Sequence, residues 1–512
     1  MVSERKDAST SAPVLPRGVR RALDAMQAAA GREIGLSELA KTAGMSGRAL
    51  QRQFRNFLGK TPVEALQDIR YERARRQLLQ GAPGLKVMDV AARCGLTHFG
   101  RFSLEYRRRY GETPSQTLKR QATFIEMLAG ERHPVMSGQE RPTLAIGAIE
   151  SEPAQGEVAR EIADELAAAL ARTGVGLSNR TEYARYQLAG GLKGAGAQTR
   201  LMLRLIDRET GRHLWAHRTE LPLQGPGAFD DHMATRIAAA LQPSLRGAEI
   251  ERARRRPDRD VTAQDLALRA LPCVLSLDPE SNARALDMLD RAMERDPDNA
   301  LALALAAWAH GQRVIYHFTS DPHDDRLRSA AFAKRALALP ADAVVLSIIG
   351  NALTLLHDID TAEQVVGRAL AIDGGSAWAW SRSGWIDAYK GKSDSAIERL
   401  TIALELAPDD PLAFNAMVGI GCAHFGAGRY GEAARWQARA LAEHSSSAWI
   451  HRTLCPAHLI AGAKDQAKRS LDALREKYPD LTVSKVPEGL PPLPRDFRDR
   501  IMDALAQAGL PA

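Results

Sequence analysis

Two stretches of the 512-residue chain carry the same pattern, and a chain that repeats it has to build the same small unit twice. Residues 36–62 read LSELAKTAGMSGRALQRQFRNFLGKTP, and residues 86–114 read KVMDVAARCGLTHFGRFSLEYRRRYGETP. Each predicts a short amphipathic helix (37–43 and 89–94), a turn at Gly44 or Gly95, a hydroxyl N-cap at Ser46 or Thr97, and a second helix. Glycine supplies the tight turn and the hydroxyl caps the helix that follows, which is helix-turn-helix architecture.

The second helix of each copy has two faces. In the first, Leu50, Phe54 and Phe57 fall at i, i+4 and i+7 and are expected in the core, leaving Arg48, Gln51, Arg52 and Arg55 outside. In the second, Phe99, Phe102 and Tyr106 are expected inside, with His98, Arg101, Glu105 and Arg108 outside. Arginine can bridge guanine O6 and N7, glutamine can bridge adenine N6 and N7, and surplus arginines reach phosphates. Between the copies, 63–80 is a continuous helical pattern. At ~1.5 Å per residue it makes a rod of roughly 27 Å, which lets two recognition helices enter successive major grooves ~34 Å apart. A preceding helix over 19–30 (Val19, Leu23, Met26, Ala30) covers the first copy.

Charge follows the same division. Residues 1–132 hold 24 Lys and Arg against 13 Asp and Glu, whereas the remainder holds 45 against 49, so the whole excess of the +7 chain sits with the repeated motif. That suits a polyanion; a merely solvated basic face is the alternative. The four cysteines (Cys94, Cys273, Cys422, Cys455) form no C-x-x-C pair, which argues for a reducing compartment and no structural zinc. The leader MVSERKDASTSAP lacks an apolar core and no run of ~18 apolar residues follows, so a cytoplasmic protein without membrane attachment is expected.

Residues 20–120 resemble the DNA-binding domain of the AraC/XylS regulators, through LSELAKTAGMS, the R-x-x-x-A-R-R-x-L-L run at 70–79, and CGLTHFGRFSLEYRRRYGETPSQTL. The resemblance implies that Arg48, Gln51 and Arg52, and then His98, Arg101 and Leu104, occupy base- or backbone-facing positions, so double-stranded DNA is the expected partner. Leu96 departs from the usual Phe after the signature glycine, and Leu104 is apolar where a polar reader is common. Those regulators commonly place the reader last; here it comes first, so any sensing portion lies downstream.

After a Gly/Pro/charge-rich linker (130–142), residues 141–250 read as a small α/β domain. The expected elements are a strand at 143–149, a helix at 157–172, a short strand at 175–178, three alternating runs forming an antiparallel sheet, and a closing helix at 227–245. PTLAIGAI, DELAAALA and RLIDRETGRHLWAHR resemble the TolB-like domain that accompanies tetratricopeptide repeats. GGLKGAG (190–196) lacks the G-K-[ST] ending of a phosphate loop and is read as a hairpin turn.

Residues 260–512 repeat small residues at Ala292, Ala336, Ala369, Ala403, Ala440 and Ala473, at intervals of 44, 33, 34, 37 and 33, with Pro297, Pro340, Pro408 and Pro479 as stops. A period near 34 with paired helices is the tetratricopeptide signature. Such arrays offer a concave face to a protein or peptide partner. Trp308, Trp378, Trp380, Trp385, Trp436 and Trp449 are read as packing between repeats, with ligand lining as the alternative. YHFTSDPHDD (316–325) is read as a loop inserted in the first repeat, and its His317, His323, Asp324 and Asp325 as solvated rather than metal-binding.

The expected fold is therefore multidomain and mainly α. A double helix-turn-helix bundle (16–125) is followed by a small α/β domain (141–250) and an α-solenoid (260–512). The expected function is a sequence-specific DNA-binding transcriptional regulator reading through Arg48, Gln51, Arg52, Arg55, His98, Arg101, Leu104 and Arg108. No catalytic residue, cofactor or metal is expected, and self-association is left open. Two alternatives stand beside it: a repeat scaffold with accessory DNA binding, and a cyclase-related signalling protein without a catalytic domain. A cysteine alkyl acceptor built on Cys455-Pro456-Ala457-His458 would need an activating histidine within reach of the thiol.

Overall fold

Nineteen residues, Pro62–Gln80, form the helix α4 that both copies of the motif share. Before it stand α1 (Arg17–Ala28), α2 (Leu36–Ala43) and α3 (Gly47–Leu58); after it come α5 (Val87–Arg93), α6 (Phe99–Tyr110) and α7 (114–118). Ala65 and Leu66 of α4 are buried with Val19, Met26, Leu39, Leu50 and Phe54 in one core. Tyr71, Ala74 and Leu78 of the same helix are buried with Val90, Leu96, Phe102 and Tyr106 in a second. Each large apolar side chain so buried contributes roughly 1.5–3 kcal/mol, so α4 is the spine of two small cores. These helices belong to Met1–His133, one of two compact units in this computed structural model; the other is Pro134–Ala512. The structure describes residues 16–28, 34–58, 60–80, 86–96, 99–110, 113–118, 142–178, 180–195, 198–222 and 229–512.

The turns are built as expected. Gly44 (φ 72°) and Gly95 (φ 69°) take the left-handed conformation that ends α2 and α5, which a Cβ would disfavour. Ser46 Oγ accepts from Ala49 N at 3.3 Å to start α3. The shared T-P ending has a cause too. Glu64 Oε2 accepts from Thr61 N (2.7 Å) while Glu64 N donates to Thr61 Oγ1 (3.2 Å), and Gln116 and Thr113 make the same reciprocal pair. Both are capping boxes with Pro at the first helical position. Phe57 corrects the sequence reading: it lies in the last turn of α3, past the core formed with α1, α2 and α4, and is 40% exposed. Thr97, His98 and Ala30, and the side chain of Phe99, lie outside the described residues.

In the second unit, β1 (Thr143–Glu150), α8 (Gly156–Arg172), β2 (Gly176–Leu177), β3 (Tyr186–Ala195), β4 (Gln198–Asp207) and β5 (His213–Pro222) give a sheet in the order β2-β1-β3-β4-β5. β1 runs parallel to β2 and β3, and β3-β4-β5 is an antiparallel meander. Alternation places Leu201, Leu203 and Leu205 under α8 and the helix that follows the sheet while Met202 faces outward. Gly190, Gly191 and Gly194 lie within β3 rather than in the turn, pairing with Leu203, Met202 and Thr199; the connection at 196–197 is outside the described residues. The helix α9 spans Asp231–Arg255, ten residues beyond the expected end at 245.

Six helical hairpins follow: α10 (Ala263–Leu275) with α11 (Pro279–Arg295), α12 (Ala300–Ile315) with α13 (Pro322–Leu337), α14 (Ala343–Leu355) with α15 (Ile359–Ile372), α16 (Ala377–Tyr389) with α17 (Ser393–Leu406), α18 (Ala413–Gly426) with α19 (Tyr430–Glu443), and α20 (His451–Ile460) with α21 (Lys464–Lys477). α22 (Arg495–Ala508) closes the array. Ala292, Ala336, Ala369, Ala403 and Ala440 are buried as expected, but Ala473 is only half-buried because Leu471 and Leu474 take the inward positions of α21. Close hairpin packing relies on small residues: a Cβ at Gly384 would stand 2.6 Å from Leu400, and one at Gly421 2.5 Å from Gln437. Asp278, Asn299, Asp321, Asp342 and Asp358 cap successive helices. The loop at 316–321 belongs to the second hairpin, and Pro322 already begins α13, so Asp324 and Asp325 lie in its first turn.

Candidate nucleic-acid interface

The buried residues of α3 and α6 decide which side chains are free to meet a ligand. With Leu50 and Phe54 in the first core, Arg48, Gln51, Arg52 and Arg55 are all exposed on α3. With Phe102 and Tyr106 in the second, Arg101, Leu104 and Arg108 are exposed on α6, Leu104 at 76%. These are the i, i+3, i+7 stripes opposite each core, so the structure brings seven of the eight expected DNA-facing residues onto two exposed helix faces. His98, the eighth, lies outside the described residues.

Sequence reasoning missed the latch behind α6. Asp68 Oδ1 on α4 accepts from Arg109 Nη1 at 2.5 Å, and Asp68 Oδ2 accepts from Lys60 Nζ at 2.7 Å. Arg109 Nε also donates to Glu105 Oε1 at 3.0 Å, and the guanidinium lies 4.6 Å from the Tyr71 ring centroid. Glu105 is thus half-buried rather than free, and the last arginine of the RRR run faces the protein while Arg108 faces solvent. Partial burial pushes the Asp68 carboxyl up, but the hydrogen bonds from Lys60 and Arg109 outweigh it and hold the group below its ordinary value. Deeper in the same core, the Tyr106 hydroxyl meets Thr117 Oγ1 at 3.1 Å and fastens α7 to α6. A threonine-to-glutamate or threonine-to-glutamine spacing could have revealed the capping boxes. Nothing local could have revealed a pair 41 residues apart.

The second unit offers different chemistry. A cavity of about 330 Å³ lies between the turn after α8 (173–175), α9 and the first hairpins, with Leu245, Leu268, Leu271 and Val345 on its walls. Arg246 of α9 is 2.9 Å from Asp410 and 4.2 Å from the Trp378 ring centroid, and Trp378 Nε1 donates to the same carboxylate at 3.0 Å. Trp308, Trp378, Trp385 and Trp449 are buried between repeats. Asp325 accepts from Arg313 Nε at 3.0 Å and stands 2.5 Å from His310 Nδ1, so it is engaged within the fold. Among the described residues no group of three or more His, Cys, Asp or Glu is placed to hold a metal, and no helix is long and apolar enough to cross a membrane. Burial pushes the Cys455 thiol up to about 12, the opposite of what a nucleophilic thiolate needs.

Residues 39–120 match a helix-turn-helix domain family. This stretch holds α3, α4 and α6. The chain is 40% identical over 108 residues, 21% of its length, to a probable thc operon regulatory protein of Rhodococcus erythropolis, and spans 32% of that protein. It is 36% identical over 120 residues, 23% of its length, to a putative adenylate cyclase 3 of Rhizobium meliloti, and spans 20% of that one. A crystal structure of a probable AraC family transcriptional regulator from Rhodopseudomonas palustris superposes on 21% of this chain and 98% of its own, at 30% identity and a TM-score of 0.20. The chain thus spans a third or less of the length of these two curated relatives.

Proposed function

We propose that the chain is a sequence-specific, cytoplasmic DNA-binding transcriptional regulator that reads two adjacent major grooves with α3 and α6. The observation that carries this is the pair of exposed stripes, Arg48, Gln51, Arg52 and Arg55 on one helix and Arg101, Leu104 and Arg108 on the other, each opposite a core that shares α4. A 19-residue helix is roughly 28 Å long, close to one turn of DNA, and the basic excess confined to residues 1–132 supplies the phosphate attraction.

In this reading 16–125 is the reader, 141–250 a TolB-like module and 260–512 the repeat array. The last two receive a signal or a protein partner and act by binding rather than by catalysis. Self-association would place four recognition helices on a longer site. The test is selection of bound sequences from a random duplex pool with purified full-length protein. A preferred site with two half-sites about one helical turn apart is expected; recovery of unselected sequence would remove the regulator reading.

A further inference from the structure

The repeat array contains two guanidiniums that no acid neutralises. Arg382 on α16 and Arg452 on α20 are 8% and 4% exposed. Arg382 donates to Asn351 Oδ1 at 2.6 Å and to Asn415 Oδ1. Arg452 donates to the carbonyls of Trp449, Ile315 and Gly489 at 3.3, 3.0 and 2.7 Å. Every acceptor is neutral. The groups that act on them electrostatically are tyrosines and Cys422, with no carboxylate among them. An arginine cannot shed its proton to escape burial, and a buried charge without a counter-charge is costly. Fastening carbonyls and amides explains the hydrogen bonds but not the choice of a cation, since a neutral donor would serve.

Both arginines line one cavity of about 60 Å³, walled by Trp308, Tyr316, Trp385, Tyr389 and Trp449. Tyr316 lies within the field of both guanidiniums. The Trp449 indole N–H is buried there and donates to no acceptor. Two cations and an unused donor around one apolar chamber describe a receptor for a small anion with an apolar body. The volume is too small for a nucleotide. The aromatic walls disfavour inorganic phosphate, a strongly hydrated ion that needs more donors than this chamber offers.

We propose that this cavity binds a short-chain organic carboxylate, its oxygens between Arg382 and Arg452 and within reach of the Trp449 indole N–H, its carbon chain against the aromatic walls. This does not depend on the DNA-binding reading. All seven tryptophans lie at or beyond Trp215, so tryptophan fluorescence of the full-length protein reports on the second unit alone. The experiment titrates sodium propionate and sodium butyrate against sodium chloride and sodium phosphate at matched ionic strength, following fluorescence and Tm. A saturable fluorescence change and a rise in Tm with the carboxylates are expected, with Arg382→Gln weakening binding about tenfold or more, as loss of a charge-assisted hydrogen bond does. Trp449→Phe, which keeps the ring and removes only the donor, should weaken binding by less and keep the proposal testable if Arg382→Gln does not fold. Equal responses to chloride or phosphate, or a Trp449→Phe variant that titrates like the parent protein, would overturn it.

Discussion

Arg109 Nη1 stands 2.5 Å from Asp68 Oδ1, so the second recognition helix is latched to the helix that carries the first. This pair ties α6 to α4 in addition to the core contacts of Phe102 and Tyr106. Asp68→Asn should cost the amino-terminal unit about 1–2 kcal/mol, since the pair is partly screened. It should also weaken binding to the preferred site more than to random DNA, because it displaces the base-facing stripe of α6 as a whole. Because the Asp68 pKa is depressed on folding, its contribution is complete above the unfolded carboxyl value near 4 and disappears as pH falls through the lower folded value. Helical circular dichroism of parent and variant should therefore differ in denaturant midpoint at neutral pH and converge in acid.

Arg52→Ala and Arg101→Ala should each lose about 1–3 kcal/mol on the selected site and relax its preference at one base position. Arg48→Ala or Arg55→Ala should instead weaken binding evenly and lower the salt dependence by about one ion. Competition binding at several salt concentrations separates the two. A uniform loss for Arg52 and Arg101 would reduce them to phosphate contacts.

Leu104 is an exposed apolar side chain in the middle of a basic stripe. Such a group meets a thymine methyl in the major groove, so Leu104→Ala should cost about 1 kcal/mol at sites with thymine in that place and nothing elsewhere. A panel of duplexes varied at each selected position measures this. Equal affinity across the panel would mean that Leu104 touches no base.

The thiols should divide by burial. Cys422 and Cys455 are pushed up to about 12 and Cys94 is also raised, in each case chiefly by burial, while Cys273 is half-exposed. At pH 8 brief iodoacetamide treatment of the folded protein should label Cys273 alone, and all four in urea, as read by peptide mass spectrometry. Labelling of Cys455 in the folded state would reopen the alkyl-acceptor idea.

Residues 1–133 should fold and bind DNA as a fragment, because α4 closes both cores without help from the rest of the chain. A cooperative unfolding transition and full-length affinity are expected. An unfolded fragment would show that the unit needs its carboxy-terminal neighbour.

What the sequence determined by itself was whatever rests on local chemistry. Glycine at the positive-φ turns, hydroxyl caps, the 3.6-residue stripes and the near-34-residue period each act within a few residues, so the helix-turn-helix pair, the sheet strands and the hairpins were all legible. Errors began where one element's environment depends on a distant one. Phe57 keeps the core spacing but has no core above it, Ala473 yields to Leu474 by the rotation of α21, and α9 runs to Arg255 beyond its expected end. The Asp68–Arg109 latch joins residues 41 apart, the Arg246–Asp410 bridge joins residues 164 apart, and Arg382 and Arg452 line one chamber only because the fourth and sixth hairpins turn α16 and α20 toward it. Pairing of charges across such separations is decided by how helices pack, and that is a property of the tertiary structure.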